Sequence, residues 1–356
     1  RPSHSLIFNT YSDPPTSTMQ RLKGITTGSL PTFIDVGSNF ASTEIEEDSI
    51  VSQLVQAGRK VVFMGDDTWV NLFPNAFTHA HPYDSFNVED LHTVDNGVID
   101  HLFPYLDPAN ASTWDVLVGH FLGVDHVGHR VGPERDTMKE KLAQMDEVLR
   151  RVVDTMDDDT LLVVLGDHGM DSKGNHGGDS ELETAAALWL YSKGAPINAG
   201  GLDETLTQYT FPGSSTPLRH VNQIDLVPTL SLLLGHPIPF NNLGSVIPEC
   251  FDTPAKLERA TRVNAEQILR FIGEYGDQAV VESLTPAWSK AEAAHILSLQ
   301  TDLNDQTALE RARLQSIASH RAFTLATLEK LRSLWARFSI PLISLGAVML
   351  ALSIST

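Results

Sequence analysis

The sequence predicts an α/β fold with a mainly parallel sheet and helices on both faces, followed by a helical segment and one membrane-spanning helix. Three observations carry this. Short apolar runs alternate with stretches of helical spacing through most of the chain. Glycine-flanked polar clusters follow several of those runs, where open α/β sheets bind their ligands. Beyond Phe251 the chain turns rich in Ala, Leu, Glu and Arg, and its last stretch is apolar and uncharged.

Taken in order, 60–64 (KVVFM) predicts a strand ending at Gly65-Asp66-Asp67, and 89–106 has helical spacing. A second strand, 114–121 (WDVLVGHF), leads into Gly123-Val124-Asp125-His126. A helix over 134–156 places Leu142, Met145, Leu149, Val152 and Val153 on its apolar side. The continuous apolar run 160–165 (TLLVVL) reads as a central parallel strand and enters Gly166-Asp167-His168-Gly169. A strand follows at 185–191, then a helix over 223–234 with Gly235 as its stop. Asp252-Thr253-Pro254 is a helix start, combining a capping side chain with a proline near the first helical position. The sequence thus divides into a catalytic domain over 1–252, a connector of two or three amphipathic helices over 253–337, and a transmembrane helix over 338–356. That last run, FSIPLISLGAVMLALSIST, approaches the ~20 residues a membrane span needs. Arg332 and Arg337 precede it, on the side opposite to the positive-inside preference if the domain is lumenal.

With 356 residues and 42% apolar content, the chain can bury one large core. A net charge of −20 argues against a nucleic-acid partner, because phosphate backbones require Lys/Arg surfaces. Phosphate-bearing small substrates stay open, since bound cations reverse the field locally. Cys250 is the sole cysteine, so no intrachain disulfide forms. The opening Arg1-Pro2-Ser3-His4 has no signal-peptide character, and the chain reads as a fragment cut at both ends.

Three polar clusters carry chemistry: Asp125-His126-Val127-Gly128-His129, Gly166-Asp167-His168-Gly169 and Asn175-His176-Gly177-Gly178. Asp and His together suit zinc or manganese. A single histidine most often just satisfies a loop, but Asp/His groups at several strand ends favour a shared metal site. In Pro15-Thr16-Ser17-Thr18, Thr18 stands where a helix should begin and phosphate oxygens are attracted. A hydroxyl residue there is ordinarily a helix cap; beside a cation it becomes a nucleophile.

PTSTMQRLKGITTG resembles the nucleophile segment of the alkaline phosphatase superfamily, in its nucleotide pyrophosphatase/phosphodiesterase branch. The resemblance makes Thr18 the attacking residue and Asn39 the residue holding a phosphoryl oxygen. More closely, SDPPTSTMQRLKGITTGSLPTFIDVGSNF, VVFMGDDTW, FLGVDHVGHRVGP, LGDHGM, NHGGDSELE and QIDLVPTLSLLLGHPIPFNNLG together resemble GPI ethanolamine phosphate transferases, nearest to those that modify the third mannose. It implies an alkaline-phosphatase-like fold and two divalent metal ions, zinc or manganese. One would be held by Asp125, His129 and His176, the other by Asp167, His168 and the Thr18 oxygen. An Asp from a strand upstream of the nucleophile completes the second site in that family, so the catalytic domain would lack its first strand. His176 lies eight positions beyond His168, a short interval shared with bacterial lipid A phosphoethanolamine transferases, and His220 is the fallback. His126 would turn away from its neighbours. Asp66 and Asp67 would cap the next helix rather than bind substrate ammonium. Asn110-Ala111-Ser112 is a glycosylation sequon.

The reaction so implied moves phosphoethanolamine from phosphatidylethanolamine to a mannose of the GPI glycolipid through a covalent Thr18 intermediate. The setting is the endoplasmic reticulum membrane, with the catalytic domain in the lumen and a small membrane partner subunit. Two rivals stand beside it: a hydrolase with water as acceptor, and a non-catalytic membrane scaffold.

Overall fold

The structure is a computed structural model describing residues 2–31, 44–197, 208–209, 218–335, 344–346, 348–350 and 353. Its strands are β1 (Ser5–Tyr11), β2 (Val61–Asp66), β3 (His79–Tyr83), β4 (Val116–His120), β5 (Leu161–Leu165), β6 (Ala185–Ser192), β7 (Gln208–Tyr209) and β8 (Leu218–Asn222). The α-helices are α1 (Thr18–Thr27), α2 (Ile50–Gln56), α3 (Thr68–Leu72), α4 (Thr93–Leu106), α5 (Gly123–Val131), α6 (Asp136–Thr155), α7 (Glu181–Thr184), α8 (Leu226–Leu233), α9 (Pro254–Tyr275), α10 (Gln278–Gln300) and α11 (Gln306–Trp335).

Among the described residues two sheets form, with orders β3–β2–β4 and β5–β6–β1–β8–β7. The first is wholly parallel. In the second, β1 pairs parallel with β8, while β6 lies antiparallel between β1 and β5 and β7 antiparallel on β8. The larger sheet is therefore mixed, a correction to the mainly parallel expectation. The connection from β5 to β6 explains it. No crossover helix carries the chain back along the sheet, so it turns at one edge, Leu165 pairs with Leu188, and β6 returns alongside.

The central placement expected for 160–165 is corrected too: among the described residues β5 pairs on one side only, with β6. A continuous apolar run reports that both faces are covered, not that both edges are paired. Val163 and Leu165 pack on the core of Phe8, Leu188 and Val221, while Leu162 packs with Phe103 and Val152 from α4 and α6. Each well-buried Leu or Phe contributes roughly 1.5–3 kcal/mol, so face coverage dominates strand composition. In β2 both conditions hold, and Val61 to Met64 are essentially sealed.

The C-terminal helices share this core. Leu257 and Ala260 of α9 and Ile317 of α11 join the sheet residues, and α9, α10 and α11 enclose Leu30, Ile224 and Leu243. Thr253 caps α9 through Lys256 N, and Pro254 is its first residue. The 223–234 helix begins as a single 3₁₀ turn, Gln223–Asp225, before α8. Among the described residues no helix is long and apolar enough to cross a membrane. Most of 338–356 lies outside the described residues.

Candidate metal centre and nucleophile

Apart from Thr18, which opens α1, the predicted metal ligands lie on the helix that follows β4 or in the loop that follows β5. α5 follows β4 after a two-residue link and carries Asp125 and His129 at i and i+4, one above the other on the same face. Their side chains meet, with His129 Nε2 at 3.4 Å from Asp125 Oδ2. His126, turned away between them as expected, is 2% exposed, and its ring nitrogens face the Asp90 and Ser85 carbonyls.

The loop after β5 delivers the third member. His176 Nε2 lies 3.4 Å from Asp125 Oδ1, and one ligand atom from each of Asp125, His129 and His176 falls within 4.8 Å of the others. A glycine makes this approach possible. Gly174 has φ of 85°, and a Cβ there would stand 2.0 Å from the Gly128 carbonyl on α5. His176 Nδ1 bonds to the Thr16 carbonyl at 2.8 Å, which fixes that nitrogen as the donor and leaves Nε2 a lone pair.

Asp167 and His168 form the neighbouring group. His168 Nδ1 bonds to the Gly169 carbonyl at 2.9 Å, so its Nε2 likewise presents a lone pair, 3.3 Å from Asp167 Oδ2. The two groups touch through the stacked rings of His168 and His176, 3.8 Å between centroids.

Thr18 is the first residue of α1, with Ser17 extended before it. Its hydroxyl lies 3.4 Å from His168 Nε2. The loop leading to it is tied to the ligand loop. Thr16 Oγ1 donates to the Gly178 carbonyl at 3.0 Å and accepts from Gly177 N at 2.8 Å, and Ser12 Oγ donates to the Asp167 carbonyl at 3.1 Å. One turn along α1, Arg21 is wholly buried, and its three nitrogens have no hydrogen-bond partner among the described residues. Burial pulls its guanidinium down to about 10, against the opposing pull of Asp13 and Asp167.

These residues fit cations. Asp125 Oδ1 and Asp167 Oδ2 are buried atoms without a hydrogen-bond partner, and each faces an imidazole lone pair. Two lone pairs aimed at each other repel unless a positive charge lies between them. The electrostatics agree. Burial penalises the Asp167 charge, but His168, His120 and His176, in their protonated form, outweigh it and hold the carboxyl below its usual range. Burial, then His168, push the His176 imidazole down, keeping it neutral and able to ligate near pH 7. Three ligands of N and O type suit a catalytic zinc site with an open position.

Of the other sequence candidates, His220 is held on β8 by Asn9 Nδ2 at 3.0 Å and does not join the triad. Asp66 caps α3 by accepting from Thr68 N at 2.8 Å, whereas Asp67 accepts from Ser85 Oγ instead. Asn39 lies outside the described residues. Sequence reading missed His120, the last residue of β4, which faces Asp66 at 3.4 Å and helps hold Asp167 ionised. Its position at a strand end beside a polar cluster was the available signal. It also missed the buried pair of Asp95 and Lys141, 2.9 Å apart. Asp95 Oδ1 accepts from Leu122 N and Gly123 N, fixing the start of the helix that carries Asp125 and His129.

The family model described as type I phosphodiesterase / nucleotide pyrophosphatase matches residues 11–188, a span that includes Thr18 and all of the candidate ligands. The chain is 46% identical over 367 residues to the GPI ethanolamine phosphate transferase 3 catalytic subunit of Mus musculus, covering 99% of this chain and 32% of that protein. It is 43% identical over 353 residues to GPI ethanolamine phosphate transferase 3 of Schizosaccharomyces pombe, covering 98% and 35%. The chain thus spans about a third of the length of the curated relatives it matches. Among solved structures it is similar to a Vibrio parahaemolyticus protein in the alkaline phosphatase superfamily, with a TM-score of 0.42 and 16% identity over 65% of this chain and 58% of that one.

Proposed function

The chain belongs to the type I phosphodiesterase / nucleotide pyrophosphatase family, and we propose that it is the catalytic portion of a phosphoethanolamine transferase of GPI-anchor synthesis. The observation that carries this is the contact of Thr18, at a helix N-terminus, with His168, whose ring stacks on His176 of the Asp125–His129–His176 triad. The relatives' names supply the transferred group and the pathway.

Divalent cations, zinc or manganese, held by Asp125, His129 and His176 and by Asp167, His168 and Thr18, would neutralise phosphate charge and lower the pKa of the attacking hydroxyl. The chain's residues do the rest. Thr18 Oγ1 loses its proton and bonds to the phosphorus of phosphatidylethanolamine; the bond from phosphorus to the glycerol oxygen breaks, and diacylglycerol leaves protonated. A mannose hydroxyl, the third in this reading, then displaces Thr18, which regains a proton. The backbone N–H groups opening α1 and, in this proposal, Asn39 hold the equatorial oxygens.

Placement at the endoplasmic reticulum membrane, lumenal orientation and a small partner subunit belong to the same proposal. So does the transmembrane reading of 338–356, where Leu345, Val348, Met349 and Leu350 are more than half exposed, as lipid-facing residues would be. Labelled phosphatidylethanolamine tests the whole. Label transferred to the glycolipid, dependent on that acceptor and abolished by Thr18→Ala, supports the transferase. Free phosphoethanolamine released with or without acceptor indicates a hydrolase. A metal-free protein indifferent to Thr18→Ala indicates a scaffold.

A further inference from the structure

Arg332, near the end of α11, reaches across 319 positions of sequence to Asp13. Its Nε donates to Asp13 Oδ1 at 2.7 Å and its Nη2 to Oδ2 at 2.8 Å, a two-pronged pair. Nη2 also donates to Asn222 Oδ1 at 2.9 Å, and the guanidinium lies 5.2 Å from the centre of the Tyr11 ring. Tyr11 and Asn222 are the last residues of β1 and β8 and pair with each other in that ladder. One planar fork therefore joins two strand ends, a loop and the C-terminal helix.

The loop is the one that presents Thr18. Its hydroxyls Ser12 and Thr16 are committed to the loop carrying Asp167, His168 and His176. Its carboxylate, Asp13, is committed to α11. The Asp13 side chain is 8% exposed, so without Arg332 it would be a buried charge short of its strongest partner. A fully exposed ion pair would not justify a positioning argument; a two-pronged one whose carboxylate is buried does.

We infer that Arg332 is a positioning residue: by pinning Asp13 it holds the nucleophile loop against the metal-ligand loop and couples α11, which leads into the apolar run at 338–356, to the placement of Thr18. The inference rests on Thr18 being the nucleophile. It also gives Arg332 a use that explains its place before that run without reference to membrane topology.

The test uses the full-length protein with Arg332→Gln, Arg332→Lys, Asp13→Asn and, as a control on the exposed side of α11, Glu329→Gln. Hydrogen–deuterium exchange over residues 16–20 reports the loop regardless of the reaction catalysed. Arg332→Gln and Asp13→Asn should each speed that exchange by about tenfold or more, while Glu329→Gln leaves it unchanged. With labelled phosphatidylethanolamine, kcat should fall on the order of 10- to 100-fold, the scale of a small misplacement of a reacting group, with KM and zinc content kept. Arg332→Lys should recover part of kcat. Unchanged exchange, or faster exchange with kcat intact, overturns the inference. If Arg332→Gln does not fold, Asp13→Asn breaks the same pair from the other side and is read identically. A wild-type protein without transfer activity would sink the functional reading, and the exchange measurement would still decide whether the clamp exists.

Discussion

Thr18 Oγ1 and His168 Nε2 lie 3.4 Å apart across 150 positions of sequence. Nothing local joins them. Thr18 is placed by the start of α1 and His168 by the end of β5, and the Ser12 and Thr16 hydrogen bonds bring the two loops into register. A hydroxyl at a helix N-terminus beside a carboxylate–imidazole group has the anion-attracting backbone and the activating neighbours that phosphoryl attack requires.

His176, a candidate ligand, links the two groups through its stack on His168. Replacing it by Ala should weaken zinc affinity by 10-fold or more, on the scale of losing a supporting group at a metal site or beyond. His126→Ala should leave affinity close to wild type, because its ring faces backbone carbonyls. Competition with a chromogenic chelator measures both.

Gly174→Ala should act on the same site from the backbone. Its Cβ would stand 2.0 Å from the Gly128 carbonyl at a φ of 85°, so the His176 loop must lift off α5. Zinc affinity should fall and thermal stability drop by more than about 1 kcal/mol. Calorimetry with and without zinc separates the two effects.

The Asp95–Lys141 pair, with side chains 0% and 3% exposed, predicts a third outcome. Lys141 Nζ also bonds the Leu91 carbonyl and Gln144 Oε1, so its charge is compensated only while Asp95 remains. Asp95→Asn should cost about 3–5 kcal/mol, the scale of breaking one side of a buried pair. Asp95→Leu combined with Lys141→Met should cost less than the sum of the singles. Urea denaturation measures this.

Acidification supplies a fourth. Burial lowers the His176, His81, His220 and His320 imidazoles relative to their ordinary value. Between their depressed folded values and about 6.5 the unfolded chain binds more protons, so stability must fall as pH falls through that window. Asp167 is lowered too, but its contribution is lost only below about pH 4, in a separate window. The metal-free protein should therefore have a lower melting temperature at pH 5.5 than at pH 7.5. His176→Asn should flatten that dependence.

The site was legible where local pattern encodes it. Asp125, His129, Asp167 and His168 follow apolar runs because backbone turns at strand ends free side chains to converge, and Thr18 precedes a helical segment. Sheet direction was not legible, because the apolar content of β5 and β6 records what covers their faces and not which way the neighbouring strand runs. The links Asp13–Arg332 and Asp95–Lys141 were invisible for a different reason. Each side chain has an unremarkable local setting, and its partner lies 319 or 46 positions away. The sequence also contained His120, but only the approach of β4 to Asp167 gives it meaning.

Trapping the covalent intermediate tests the central claim most directly. Full-length protein, quenched in acid after brief reaction with labelled phosphatidylethanolamine and no acceptor, should yield a peptide bearing one phosphoethanolamine group on Thr18, absent from Thr18→Ala. Label on another residue, or acceptor-dependent transfer that persists in Thr18→Ala, would contradict it.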